Sequence, residues 1–308
     1  MTEAVRRNTA AESVIEIGHT AYPVLTPDST VGVGLRAMIA SGLRSMRVAG
    51  QRGAPDRPDS IHRFRIGLRR LRSVLSAFAT VLPQEERRVL NQRLSSVGRG
   101  YSRLREWDVL VAGTLRPMAE ALPDEPAVVE LDNAARAVRR GALPDTGALR
   151  GQVEEIAAAI SEAAWLQRPA GAFELDWDRD LRSFASELLA KRHRRLRKRL
   201  KKVDINDQTA FHKLRIEAKK IRYPAEMFGN LFEAKASDDY LDRLIAVQDA
   251  LGHLNDALVA RERVGELAVS SRAQGLAAGW LAHEIAGRRE RFPRAAKRLR
   301  HAAPFWAE

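Results

Sequence analysis

The chain has 308 residues, with 52 Lys and Arg against 39 Asp and Glu, a formal net charge of +13 and a pI near 10.6. This length accommodates one large or two ordinary domains with a sizeable core, and the charge favours polyanionic partners: nucleic acid, a polyphosphate or an acidic membrane surface. No cysteine is present, which excludes disulfides, thiolate metal sites and cysteine nucleophiles and fits a reducing compartment.

Residues 1–28 read as a flexible N-terminal arm, with Pro23 and Pro27 near its end. No apolar signal core opens the chain and no run of about 18 apolar residues follows, so a soluble, unexported, cytoplasmic protein without a membrane partner is expected. From Val31 the pattern turns helical and stays so. Ala, Leu, Arg and Glu dominate, aromatic residues are scarce, and no convincing strand emerges. Breaks are expected at Gly50–Pro58, near Pro83, at Pro123–Pro126, Gly141–Gly147, Arg168–Ala172 and Asp204–Asp207, and near Pro293. Asp59 or Ser60, and Asp207 or Thr209, can cap the helices that follow them.

One pattern occurs twice, offset by 150 residues: IHRFRIGLRRLRSVLSAF at 61–78 and FHKLRIEAKKIRYPAEMF at 211–228. Lys or Arg stands at the same five places in each: Arg63, Arg65, Arg69, Arg70 and Arg72, then Lys213, Arg215, Lys219, Lys220 and Arg222. The apolar places coincide too, which implies an internal duplication. At about 100° per residue, Phe64, Leu68, Leu71, Leu75 and Phe78 fall on one side of a helix. His62, Arg65, Arg69 and Arg72 gather within roughly 80° on the other, because their spacing is i, i+3, i+7, i+10. His212, Arg215, Lys219 and Arg222 repeat that stripe. Like charges so spaced repel, so the stripe costs helix stability unless an anion offsets it. A solvated surface face would normally mix in acids, and only Glu217 and Glu226 appear here. His62 and His212 can either contact the anion or hydrogen-bond near a helix start.

The repeat runs on. Leu94, Val97, Tyr101 and Leu104 match Leu244, Val247, Leu251 and Leu254, and Arg105-Glu106 is followed at the same offset by Asn255-Asp256. The expected architecture is therefore all-α: two pseudo-twofold-related helical bundles, about 30–168 and 174–306, around a shared basic central groove. Residues 191–202, KRHRRLRKRLKK, hold nine Lys or Arg. Arg44 and Arg47 match Arg194 and Arg197 at the offset, so Arg44 and Arg194 can add cations to the groove. His193 falls on the apolar seam of that helix and can be structural. The segment GRRERFPRAAKRLRH near the end is a further basic helix, and either tract can be a nucleic-acid patch. Pro224 stands where the first copy has Val74; it removes a backbone hydrogen bond and should kink its helix after Arg222.

Other chemistries lack their signatures. No GxxxxGK[ST] occurs, no strand precedes Gly32-Val33-Gly34, and His283-Glu284 lacks a second His. A metal on His62 and His212 would be repelled by the surrounding Arg, so neither metal nor cofactor is expected. Glu106, Asp108 and Asp256 fit the orientation of neighbouring Arg side chains better than acid–base catalysis.

These residues resemble the CHAD family, the conserved-histidine α-helical domain. His62-x-x-Arg65-x-x-x-Arg69-Arg70-x-Arg72 and His212-x-x-Arg215-x-x-x-Lys219-Lys220-x-Arg222-Tyr223 resemble its signature. Arg105-Glu106-Trp107-Asp108-Val109 resembles its Arg-Asp-x-Asp-Val element, with Glu106 in place of Asp, and Leu251-Gly252-x-Leu254-Asn255-Asp256 resembles the second-half counterpart. The likeness covers roughly residues 30–305, within a domain bounded at 29–308. It implies two pseudo-symmetric bundles about a basic groove, binding of inorganic polyphosphate, and association with polyphosphate granules. The family often accompanies a CYTH triphosphatase domain. This chain lacks that domain's alternating Glu-x-Glu-x-Lys strand and resembles a stand-alone, non-catalytic member. The implied polyphosphate-binding set is His62, Arg65, Arg69, Arg70, Arg72, His212, Arg215, Lys219, Lys220, Arg222, Arg44 and Arg194. Two alternatives stand beside it. One is sequence-independent nucleic-acid binding, which the scarcity of aromatics near the basic motifs disfavours for single strands. The other is a metal-dependent phosphohydrolase.

Overall fold

The computed structural model describes residues 14–17, 20–52, 58–143, 146–167 and 176–307. In chain order the elements are β1 (Val14–Ile17), β2 (Thr20–Pro23), α1 (Val31–Arg52), α2 (Pro58–Ala77), α3 (Gln84–Gly100) and α4 (Ser102–Leu110). A π turn, Val111–Leu115, joins α4 to α5 (Arg116–Ala121), followed by α6 (Pro126–Gly141), α7 (Thr146–Ser161) and α8 (Ala164–Gln167). Then come α9 (Leu181–Leu200), α10 (Gln208–Phe228), a 3-10 turn at Gly229–Leu231, α11 (Ala234–Gly265) and α12 (Ser271–Arg300). The fold is all-α apart from the hairpin near the N-terminus.

The sequence offset reappears in the helix starts. Helices α1 and α9 begin at 31 and 181, α2 and α10 at 58 and 208, and α3 and α11 at 84 and 234, each pair 150 residues apart. The backbone ties between the halves are reciprocal at the same offset. Val31 N–H donates to the Arg179 carbonyl at 2.9 Å, and Leu181 N–H donates to the Ser29 carbonyl at 3.0 Å. Between them lies an antiparallel bridge, Thr30 to Asp180. Both bridge residues cap the helix they precede: Thr30 Oγ1 accepts from Val33 N–H at 3.4 Å, and Asp180 accepts from Ser183 N–H at 2.6 Å. The segments that lead into α1 and α9 thus exchange backbone hydrogen bonds with one another. The halves diverge at Tyr101, where α3 gives way to α4; at the counterpart Leu251, α11 runs straight through.

Packing brings the two motif helices together. Helix α2 lies against α10, α4 against α11, α6 against α12 and α1 against α9. Apolar residues from both halves form one contiguous core, in which Phe78, Phe184 and Phe228 pack ring to ring with centroids 5.3 to 6.4 Å apart. The burial of Phe64, Leu68, Leu71, Leu75 and Phe78 and of Phe211, Leu214, Ala218, Ile221 and Phe228 follows the expected apolar faces. Asp207 caps α10, accepting from the N–H groups of Thr209 and Ala210 at 2.8 and 3.2 Å. Helix α2 already begins at Pro58, and the side chains of Asp59 and Ser60, the caps expected there, lie outside the described residues.

Three expectations differ from the fold. The N-terminal segment contains a strand pair, with Val14–Ile17 antiparallel to Thr20–Pro23; two four-residue strands are too short to show alternation. The end of the segment expected to be an arm is docked. Tyr22 and Leu25 are buried, and Asn230 Nδ2 donates to the Leu25 carbonyl at 2.6 Å. Residues 1–13 lie outside the described residues. Helix α12 also runs through Pro293 without the expected break, because Leu281, Ile285, Phe292, Ala296 and Leu299 bury one continuous face on both sides of it. The expected break at Arg168–Ala172 lies outside the described residues.

Candidate anion-binding site

Each motif divides its five cations between structure and display. On α10, Glu217 accepts from Lys220 Nζ at 3.1 Å, and Glu226 accepts from Arg222 Nε at 2.6 Å. Arg222 also donates to Gln248 Oε1 on α11. The two acids interrupting the basic stripe therefore neutralise Lys220 and Arg222. On α2, Arg70 is buried, donates to Ser45 Oγ at 3.1 Å and lies over the Tyr22 ring at 5.5 Å. Arg72 turns toward α3, donating to Asn91 Oδ1 at 3.1 Å. Arg63 and Lys213 are exposed on the flank.

The remaining cations meet across the two halves. Arg69, on α2, stacks over the ring of Tyr223, on α10, at 5.2 Å. Arg65 donates to the Gly98 carbonyl at 2.5 Å and to Ser102 Oγ at 3.1 Å, which holds it toward the α3–α4 corner. Its affinity for its proton is lowered first by burial, then by the positive charges of Arg105 and Arg69, against a weaker pull from Glu106. Arg215 is lowered mainly by burial, with Asp256 and Tyr223 opposing and Arg69 adding a smaller depression. Its Nε is buried and donates to no protein acceptor. Lys219 is pulled down to about 7, first by burial and then by Arg215, Arg69 and Arg65, with Asp256 opposing. Arg65, Arg69, Arg105, Arg215 and Lys219 thus share one electrostatic neighbourhood, in which Glu106 and Asp256 are the opposing acids. Glu106 is drawn partly away by Arg263, 3.6 Å off. Partly buried cations depressed in this way, Arg65, Arg215 and Lys219, are stabilised by an anion placed among them.

Not every residue expected in the site joins that cluster. Arg65, Arg69, Arg215 and Lys219 do. Arg70, Arg72, Lys220 and Arg222 are engaged elsewhere, as described. His212 is exposed near the start of α10, and His62 is half-buried at the corresponding place on α2. Arg44 and Arg194 project from exposed faces of α1 and α9. Arg105 and Tyr223, absent from the expected set, belong to the cluster; both stood inside the motifs, but the side to which they turn depends on how α4 and α10 pack. His193 is structural: its Nδ1 lies 2.8 Å from the Tyr240 hydroxyl, and its ring packs edge-on to Trp306 at 5.5 Å. Burial and the nearby Arg197 and Arg194 push it down to about 4. Asp108 is buried in an ion pair with Arg139. Among the described residues no group of three or more His, Cys, Asp or Glu is placed to hold a metal ion, and no helix is long and apolar enough to cross a membrane.

The sequence profile of the CHAD domain matches residues 37–265, most of the chain. The chain belongs to the CHAD family. Among solved structures, the fold of this CHAD chain is similar to the CHAD domain from the plant Ricinus communis. The two share 26% identity and a TM-score of 0.74 over 92% of this chain and 95% of that one. It also resembles in fold PptA from Streptomyces chartreusis, at 15% identity and a TM-score of 0.64 over 87% of this chain and 100% of that one. No curated protein sequence matches it significantly.

Proposed function

We propose that this CHAD protein binds inorganic polyphosphate without catalysis, through the cations that α2 and α10 bring to the junction of the halves, and is thereby carried to polyphosphate granules. The observation that carries this is the packing of α2 against α10, with Arg69 stacked over Tyr223 at 5.2 Å, and it agrees with the depression of Lys219 by burial and then by Arg215, Arg69 and Arg65. Such an arrangement is costly when empty and relieved by dense negative charge. Along each helix the cations recur at i and i+4, about 5–6 Å apart, a spacing that suits successive phosphates of a linear chain. Guanidinium forks grip oxygen pairs and Lys acts as a point charge, and nothing in that geometry reads a base. The CHAD signature supports the same ligand.

A second reading, sequence-independent nucleic-acid binding, is favoured by one observation. Lys191, Arg194, Arg195, Arg197, Lys198 and Arg199 on α9, with Lys201 and Lys202 in the turn after it, are all exposed. Titration with long-chain polyphosphate and with double-stranded DNA at equal phosphate, near physiological salt, separates the two. Saturable binding to polyphosphate with weak DNA binding is expected. Equal binding to both would replace the junction site by a general cationic surface. Phosphate release in Mg²⁺ or Mn²⁺ would instead revive a phosphohydrolase.

A further inference from the structure

Arg192 on α9 is 8% exposed, yet it is one of the most polar side chains available. Its guanidinium reaches both motif helices. Nη1 donates to the Lys220 carbonyl on α10, and Nη2 donates to the Ser76 carbonyl and hydroxyl on α2 at 2.7 and 3.2 Å. Both carbonyls are ones that their helices leave unmet. Helix α2 ends at Ala77, so Ser76 belongs to the last turn, whose carbonyls have no helical N–H to accept from. Lys220 lies well inside α10, but the residue four places on is Pro224, which has no N–H to donate. The vacancy in the ladder is filled by Arg192.

The other half lacks both partners. At the same offset Arg192 becomes Gly42 and Pro224 becomes Val74. Val74 carries an N–H for the Arg70 carbonyl, and no guanidinium is needed. At Gly42 a Cβ would come 2.6 Å from Leu71 Cδ2, so any side chain there would have to displace Leu71. The arginine and the proline occur together in one half and are absent together from the other.

We propose that Arg192, made necessary by Pro224, is a positioning residue for the anion site: it ties α2 to α10 and so sets the distance between the Arg65–Arg69 pair and the Arg215–Lys219 pair. This rests on the anion-binding reading above. The cation also sits at the C-terminal end of α2, where the helix dipole favours it. Burial pulls its proton affinity down to about 10, with Glu217 opposing, so it stays charged at neutral pH.

The test uses the full chain and four variants: Arg192→Met, Arg192→Lys, Pro224→Ala and Arg192→Met/Pro224→Ala. Melting temperature and affinity for long-chain polyphosphate are measured for each. An Arg65→Ala by Arg215→Ala double-mutant cycle is run in wild type and in Arg192→Met. Arg192→Met is expected to lower the melting temperature by several degrees and weaken binding at least tenfold. The coupling between Arg65 and Arg215, about fivefold in wild type, should shrink to within twofold. Pro224→Ala restores an N–H to the Lys220 carbonyl. Added to Arg192→Met it should recover most of the melting temperature and little of the affinity, because the tie to Ser76 on α2 stays cut. Recovery of affinity in step with stability would reduce Arg192 to a stabilising contact and overturn the proposal. So would tight binding and intact coupling in Arg192→Met. Should Arg192→Met not fold, Arg192→Lys carries the test: its ammonium cannot span both helices, so it should fold and bind weakly, and wild-type affinity would refute the positioning role. Failure of the wild type to bind polyphosphate at all would instead remove the anion-binding reading and the positioning role together.

Discussion

In the proposed anion site, Lys219 should make binding sensitive to pH. Without ligand its proton is held at about 7 by burial and three neighbouring guanidinium groups. A phosphate chain among those groups offsets both the desolvation and the repulsion and returns Lys219 toward the ordinary lysine range, near 10.4. Binding then takes up a proton wherever the free form is deprotonated and the bound form is not. With a free value of about 7, only about a tenth of Lys219 is protonated at pH 8, so roughly 0.9 proton is taken up per site there. Affinity should fall about fivefold, or ~1 kcal/mol, between pH 7 and pH 8, and nearly tenfold more by pH 9. Isothermal titration at pH 8 in two buffers of different ionisation enthalpy reads the proton uptake directly. Lys219→Arg should bind with a nearly flat profile, and Lys219→Met should lose both affinity and uptake. Uptake below about 0.2 proton in wild type, or a Lys219→Met profile parallel to wild type, would refute the placement of Lys219 among the cations.

The same residue should trade stability for binding. Because its native value lies below its unfolded value, the native state binds fewer protons between about pH 7 and 10, and holding the charge costs stability below that window. Lys219→Met is expected to raise the melting temperature in the absence of anion by about 2–5 °C at pH 7, checked by calorimetry. Arg65→Ala and Arg215→Ala should each weaken polyphosphate binding by about 1–3 kcal/mol, and log affinity should fall steeply with log salt; unchanged affinity in both would show that the site lies elsewhere. His193, held at about 4, should make the fold lose stability as pH falls from 6.5 toward 4, since only the unfolded chain binds that proton there. Urea denaturation should show ~2–3 kcal/mol of acid sensitivity that is absent from His193→Phe. Arg139→Ala should cost about 3–5 kcal/mol by leaving the buried Asp108 carboxylate without its cation.

Much of this was legible along the chain because it depends on local periodicity. The apolar seams of α2 and α10 and the Asp207 cap follow from side-chain spacing on a single helix, and so does the sharing of one face by Arg65 and Arg69 or by Arg215 and Lys219. Helix starts at 31 and 181, 58 and 208, and 84 and 234 are spaced by the same 150 residues as the two motifs. The hairpin and the docking of Tyr22 were not legible: two short strands carry too few residues to register a period, and Tyr22 lies under the guanidinium of Arg70, a residue remote in sequence. The unbroken α12 was missed because a proline's local penalty is outweighed by a continuous buried face.

Within the site the division is sharper. A helical wheel puts Arg65, Arg69, Arg70 and Arg72 near one another and cannot say which of them meets a partner from another helix. Sequence by itself determined the charge, the all-α class, the duplicated basic stripe and the family. Only the tertiary structure decided which cations are consumed by Glu217, Glu226, Ser45 and Asn91, and which are left facing each other across the halves. It also decided that Arg192 faces inward to the carbonyl that Pro224 leaves open. The reason is physical: periodicity acts within one helix, whereas desolvation and charge–charge repulsion depend on distances between helices, which packing alone sets.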